Sequence, residues 1–231
     1  MLSGLGLRRL MLGLLWLAFV GYAFGLAPPD QPDTTTLILN LSTGQWGGIN
    51  PLVVSLFNVM GVWPVMYAAL VLPDGESQSF PAWPFVVASF ALGAFALLPY
   101  LILRQSGASA QADTPTSPSR FLKLATSRWV GLGCAIAILM LLVYGGTQGD
   151  WRNFVEQWRS SRFIHVMSLD FCALCVLFPV LLKDDMARQQ RYTPALFWAV
   201  SLTPLLGPAL YLTLRPNTIS PATSAPEAQS A

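Results

Sequence analysis

Charge is scarce in this chain. Only 10% of its 231 residues are Asp, Glu, Lys or Arg, whereas soluble domains carry about 25%. A surface so poor in charge cannot face water all round. The formal net charge is +2, and no basic run is interleaved with aromatics, which excludes a nucleic-acid-binding surface. Histidine is nearly absent: His165 stands alone, and no clustering of His, Cys and acid has metal-site spacing. The three cysteines, Cys134, Cys172 and Cys175, all lie in apolar stretches, so none can staple an exposed loop. Gly145, Gly146 and Gly149 form no phosphate loop, and no Ser, His and Asp are arranged for nucleophilic catalysis. Long alternating strands are missing too, which excludes a transmembrane barrel.

Apolar runs are what the chain has instead. It is 54% hydrophobic, with mean hydropathy +0.53. Six segments approach the roughly 20 apolar residues that cross a bilayer: Leu10–Leu26, Pro51–Leu72, Trp83–Leu103, Trp129–Tyr144, Phe163–Leu182 and Ala195–Leu214. The reading is an all-α polytopic membrane protein with six transmembrane helices. Arg8 and Arg9 before the first run favour a cytoplasmic N-terminus, and Trp63, Trp83 and Trp129 are expected at the headgroups. Residues 104–128 are rich in Ser, Ala, Gln, Thr and Pro and read as a linker. Residues 216–231 have the same character and read as a disordered tail. In 151–162, Trp151, Phe154, Val155 and Trp158 recur at helical spacing opposite Arg152, Glu156 and Arg159, predicting an amphipathic interfacial helix.

The chain repeats itself. Tyr100-Leu101-Ile102-Leu103-Arg104 matches Tyr211-Leu212-Thr213-Leu214-Arg215, each preceded by an acid-bearing turn, a proline and an apolar run. Residues 1–103 and 129–215 then form two three-helix repeats. Three is odd, so six full crossings demand repeats of inverted topology.

Asp170 is the acid inside the fifth run, and Asn58 occupies nearly the matching place in the second. Each lies about 10 Å along its helix, near the bilayer centre. A carboxyl there must face the protein interior and find a partner. Asp170 and Asn58 are therefore read as a central polar pair, serving either a ligand or proton site or the locking of two helices. His165 is a candidate pigment-magnesium ligand or proton relay, or else a hydrogen-bonded interfacial histidine. Tyr100 and Tyr211, matched by the repeat, complete the candidate site. Cys172 and Cys175 have Cys-x-x-Cys spacing, but they sit deep and lack a second pair, so they read as small core residues.

Two resemblances bear on function. The stretch His165-x4-Asp170, Asp184-Asp185-x2-Arg188 and Leu206-Gly207-Pro208-x2-Tyr211-Leu-x-Leu-Arg215 resembles the C-terminal half of neoxanthin-related (abscisic-acid-deficient type) membrane proteins, and short bacterial three-helix proteins. Phe57–Tyr67 and Asp74–Tyr100 are similar to a multi-pass membrane protein family of cyanobacteria and chloroplasts. The resemblance implies a thylakoid or plasma membrane, with chlorophyll or carotenoid as candidate cofactors. It also implies photosynthetic complex subunits as candidate partners beside the bilayer. With so few ionisable groups in the spans, the leading expectation is a non-catalytic pigment- or lipid-binding or complex-assembly role. A carotenoid- or isoprenoid-modifying enzyme and a small inverted-repeat transporter are the alternatives.

Overall fold

The computed structural model describes residues 4–105 and 120–215. Most of the linker and the tail read from the sequence therefore lie outside the described residues. Four helices are long and apolar enough to cross a membrane, which makes this an integral membrane protein: α1 (Gly4–Gly25), α3 (Pro51–Gly75), α7 (Arg128–Gln148) and α9 (Arg162–Arg188). The shorter helices are α2 (Thr34–Thr43), α4 (Trp83–Leu92), α5 (Ala94–Leu103), α6 (Arg120–Ala125), α8 (Trp151–Ser160), α10 (Pro194–Leu202) and α11 (Leu206–Leu214).

The third and sixth expected spans are broken. α4 and α5 have 10 residues each and meet at Gly93, and each is about 15 Å long, half the thickness of a hydrocarbon core. Their contacts show that the chain turns back rather than crossing. Ala82, before α4, packs beside Gly75 at the end of α3, whereas Gly93 meets Asp170 about a third of the way along α9. From there α5 descends antiparallel to α1. Trp16 donates to the carbonyl of Phe95 at 3.0 Å, and Arg9 reaches the carbonyl of Leu103. α10 and α11 make a second hairpin of the same kind. Gly207 packs on the Val200 carbonyl at the tip, and Arg215 returns to Asp185 near the end of α9.

The inverted repeat gives way with the six spans. Contacts between α3 and α9 pair in rising order along both helices. Val53 and Val54 cluster with Ile164 and Met167; Tyr67 donates to Leu174 O at 2.7 Å; Arg104 bridges Asp74 and Asp184. The two helices therefore run the same way. Each half crosses twice and adds a hairpin that enters and leaves at one end, so an even number of crossings brings the second half in parallel to the first. Short apolar runs split by Gly93 or by Thr203-Pro204-Leu205 read as single spans because hydropathy does not register a reversal of direction.

The core lies between α3 and α9. Trp63, Tyr67 and Phe178 pack together there with centroids 5.5–5.7 Å apart, each at most 1% exposed. Trp63 is thus a core residue and not part of a headgroup belt, whereas Trp83 and Trp129 are exposed. α1 and α7 stand outside and turn large side chains such as Met11, Leu17, Ile136 and Met140 outward. Two prolines that interrupt helix hydrogen bonding are compensated from neighbouring elements. Pro99 cannot donate to Phe95 O, which accepts from Trp16; Pro73 cannot donate to Ala69 O, which accepts from Arg215 Nη1 at 3.1 Å.

At the end away from the hairpin mouths, two caps interlock. The Asn50 side chain accepts from Leu52 N and donates to Asp150 O and Asn153 Oδ1. The Asp150 carboxylate caps α8 by accepting from Asn153 N. Phe154 and Trp158 of α8 pack on the small cluster of Leu41, Val53, Val54, Ile164 and Met167, while Arg152 and Glu156 pair on the exposed side.

Candidate functional site: two hairpins and their polar anchors

Each hairpin is fastened at its mouth by the same three side chains. In the first, Tyr100 donates its hydroxyl to Asp74 Oδ2, and Arg104 reaches Asp74 through Nε at 2.9 Å and Nη2 at 2.8 Å. In the second, Tyr211 donates to Asp185 Oδ2 at 2.7 Å and Arg215 Nη1 reaches both carboxylate oxygens at 3.0 and 3.1 Å. The partners are 26 and 30 residues apart in both halves, with Arg104 forking two nitrogens onto its carboxylate and Arg215 sharing one nitrogen between both oxygens. Asp74, Arg104, Asp185 and Arg215 are all buried. Charges desolvated this far must be paired and hydrogen-bonded, and an Arg fork on a carboxylate that also accepts from Tyr meets that need. Arg104 additionally pairs with Asp184, and Arg188 with Asp185, so the two mouths form one polar layer.

Asp170 and Asn58 do not pair. Asn58 donates to Val54 O one turn back on its own helix at 2.8 Å. Asp170 accepts instead from Ala94 N at 2.8 Å, the first amide of α5. Their positions explain this: α3 and α9 run parallel, and what approaches Asp170 across the interior is the tip of the first hairpin. Gly93 has φ 50 and ψ −126, and a Cβ there would overlap the Asp170 carboxylate. Glycine is thus required twice, by conformation and by close approach. A carboxylate at a helix N-terminus satisfies an orphan amide and lies at the favourable end of the helix dipole.

His165 is tied on both sides. Nδ1 lies 2.9 Å from Trp158 O and Nε2 lies 2.8 Å from the Tyr22 hydroxyl, with the imidazole over the Trp158 ring at 4.2 Å. A carbonyl only accepts, so Nδ1 carries a proton, and Nε2 is bonded to the Tyr22 hydroxyl. Both nitrogens are occupied in joining α1, α8 and α9, which leaves neither for a pigment magnesium. Tyr100 and Tyr211 belong to the mouth triads, far from Asp170 along the hairpins. The five candidate residues therefore fall into four separate settings and do not converge. Cys172 and Cys175 are free thiols, the first exposed on the side of α9.

The anchors Asp74, Asp184, Asp185, Arg104 and Arg215 were the functional residues missed by reading the turns as loops. Their signal was present: Asp74 and Asp185 lie at the same offset as the Tyr-Leu-x-Leu-Arg segments. Among the described residues no group of His, Cys, Asp and Glu is placed to hold a metal ion. No family model, no curated protein and no solved structure matches the chain.

Proposed function

We propose that this is a non-catalytic membrane protein that binds pigment or lipid, or assists assembly of a membrane complex, through its outer faces. The observation that carries the reading is the filling of the α3–α9 interface. Trp63, Tyr67 and Phe178 occupy the axis between the halves, where a substrate site between repeats would otherwise lie. The buried acids support the same reading, because Asp74 and Asp185 anchor the hairpins and Asp170 caps α5. The outer face of α7, with Leu139, Met140, Val143 and Tyr144 lining a shallow groove, offers apolar surface to lipid, pigment or a partner helix. The photosynthetic setting, thylakoid or plasma membrane, rests on the sequence resemblance alone.

The topology supports an orientation. Arg8, Arg9, Arg104, Arg120, Lys123, Arg128, Lys183, Arg188, Arg191 and Arg215 belong to the end with the hairpin mouths, and Arg152, Arg159 and Arg162 to the other. Ten basic residues against three favour the hairpin end as cytoplasmic. The test of function is purification from native membranes followed by identification of bound pigments, lipids and subunits. Stoichiometric retention of one of them is expected; a protein that purifies bare overturns the reading.

A second reading, a small transporter, is favoured by the hairpin tips themselves. Irregular backbone at membrane depth marks the substrate sites of transporters with discontinuous helices, and Asp170 sits at one tip. Solute flux in proteoliposomes that Asp170→Asn abolishes would establish it.

A further inference from the structure

The polar layer at the hairpin mouths has more guanidinium donors than acceptors. Asp74 accepts from Tyr100 and from two N–H groups of Arg104, and Asp185 from Tyr211, Arg188 and Arg215. Asp184 is engaged with Arg104. Arg9 turns to the carbonyls of Leu103 and Arg104, which brings the first turns of α1 against the end of α5. Arg8 stands within electrostatic reach of Arg104, Asp74 and Asp184, yet its Nε and Nη2 atoms are buried with no hydrogen-bond partner among the described residues. Arg104 Nη1 is also buried and unpartnered, on a side chain that is 0% exposed. Buried cationic donors without acceptors are strongly disfavoured, and none of the neighbouring carboxylates bonds to these atoms.

We propose that Arg8 and Arg104 form a binding site for a phosphate group at the end of α1 and α5. Phosphate matches the need: several oxygens can accept from two guanidinium forks at once and supply the missing negative charge. The site lies at the helix ends, level with headgroups, where basic pockets between transmembrane helices receive lipid phosphates. The phosphodiester of an anionic phospholipid and free inorganic phosphate share this chemistry. The proposal deepens the lipid-binding reading above, but it concerns a site distinct from the outer faces where pigment or a subunit would bind.

The test uses the full-length protein. Delipidated protein is titrated with inorganic phosphate in detergent, and in parallel is reconstituted into vesicles of phosphatidylcholine with or without phosphatidylglycerol. The melting midpoint is followed in both. One of the two additions is expected to raise the midpoint by roughly 5 °C, the scale of ligand linkage at about 100-fold saturation. The rise is lost in Arg8→Gln and partly kept in Arg8→Lys, while Arg152→Gln at the opposite end behaves as wild type. Stabilisation by phosphatidylglycerol alone assigns a lipid headgroup, and stabilisation by phosphate alone assigns the free anion. No stabilisation of the wild type by either, or full stabilisation of Arg8→Gln, overturns the site. Retention of pigment or subunits on purification is scored separately, so failure of the phosphate site and failure of the functional reading are told apart.

Discussion

The two hairpins share length, mouth chemistry and direction, yet their tips are built in different ways. At the first tip the chain turns through Gly93, and α9 supplies a carboxylate to the freed amide of Ala94. At the second, Leu205 stands at φ 68 and ψ −68, and Leu206 N donates back to Pro204 O at 2.9 Å. That is a γ-turn with positive φ, a strained conformation for a branched side chain, followed by Gly207 N to Thr203 O at 2.8 Å. One tip draws its acceptor from another helix; the other closes on its own backbone. A backbone reversal far from water must satisfy its amides locally, and the comparison shows two separate solutions on one plan. Asp170 has no acidic counterpart in the first half, and among the described residues no side chain of another helix bonds to the amides of the second tip.

The largest test of the comparison is topological. If the first hairpin returns to the end it leaves, cysteines placed at Glu76 and Gln105, on either side of α4 and α5, are labelled from the same side by a membrane-impermeant maleimide. A cysteine at Arg152 is then labelled only from the other side. Opposite-side labelling of the Glu76 and Gln105 variants would restore a full crossing by α4 and α5 and remove that hairpin.

Next come the mouths. Arg104→Ala leaves Asp74 and Asp184 without their cation, and a broken buried pair costs about 3–5 kcal/mol. Arg215→Ala removes one cation from Asp185, which keeps Arg188, so its cost is expected at about 2 kcal/mol, the scale of a charge-assisted hydrogen bond. Thermal unfolding in detergent should rank them in that order; equal losses would deny that Asp184 strengthens the first mouth.

The tips themselves give smaller effects. Asp170→Leu leaves Ala94 N buried and unpaired, costing about 1–3 kcal/mol, whereas Asp170→Asn keeps an acceptor oxygen and stays within about 1 kcal/mol of wild type. Tolerance of Asp170→Leu would show that the first tip also closes on itself. The smallest change is expected at Gln190, exposed at φ 53 in the turn that leads into the second hairpin. Gln190→Gly should stabilise by about 0.5 kcal/mol or be neutral, because glycine relieves the positive φ while loosening the unfolded chain; a clear loss of stability would show that the Gln190 side chain helps fasten that turn.

Much of this was legible in the sequence. Four of the six apolar runs are spans, and the Tyr100–Arg104 and Tyr211–Arg215 match marks the paired mouths. The direction of the chain was not legible, because α4 plus α5 has the length and hydropathy of one helix. The contacts of Gly93 with Asp170 and of α5 with α1 reveal the turn. Parity then misled the rest. Counting a hairpin as a crossing made each half odd and inverted the second half. The pairing of Asp170 with Asn58 failed for the same reason, since it assumed antiparallel helices meeting at mid-membrane.

The hairpins also give the protein an unequal cross-section. A slice through the half of the bilayer that holds them cuts eight helical segments, α1, α3, α7 and α9 with α4, α5, α10 and α11. A slice through the other half cuts only the four long ones. At about 10 Å diameter each, the four extra helices add roughly 300 Å² to one leaflet. The molecule is therefore a wedge, and it displaces more lipid from the leaflet on the hairpin side than from the other. A membrane crowded with copies in one orientation would bulge toward that side to equalise the two areas.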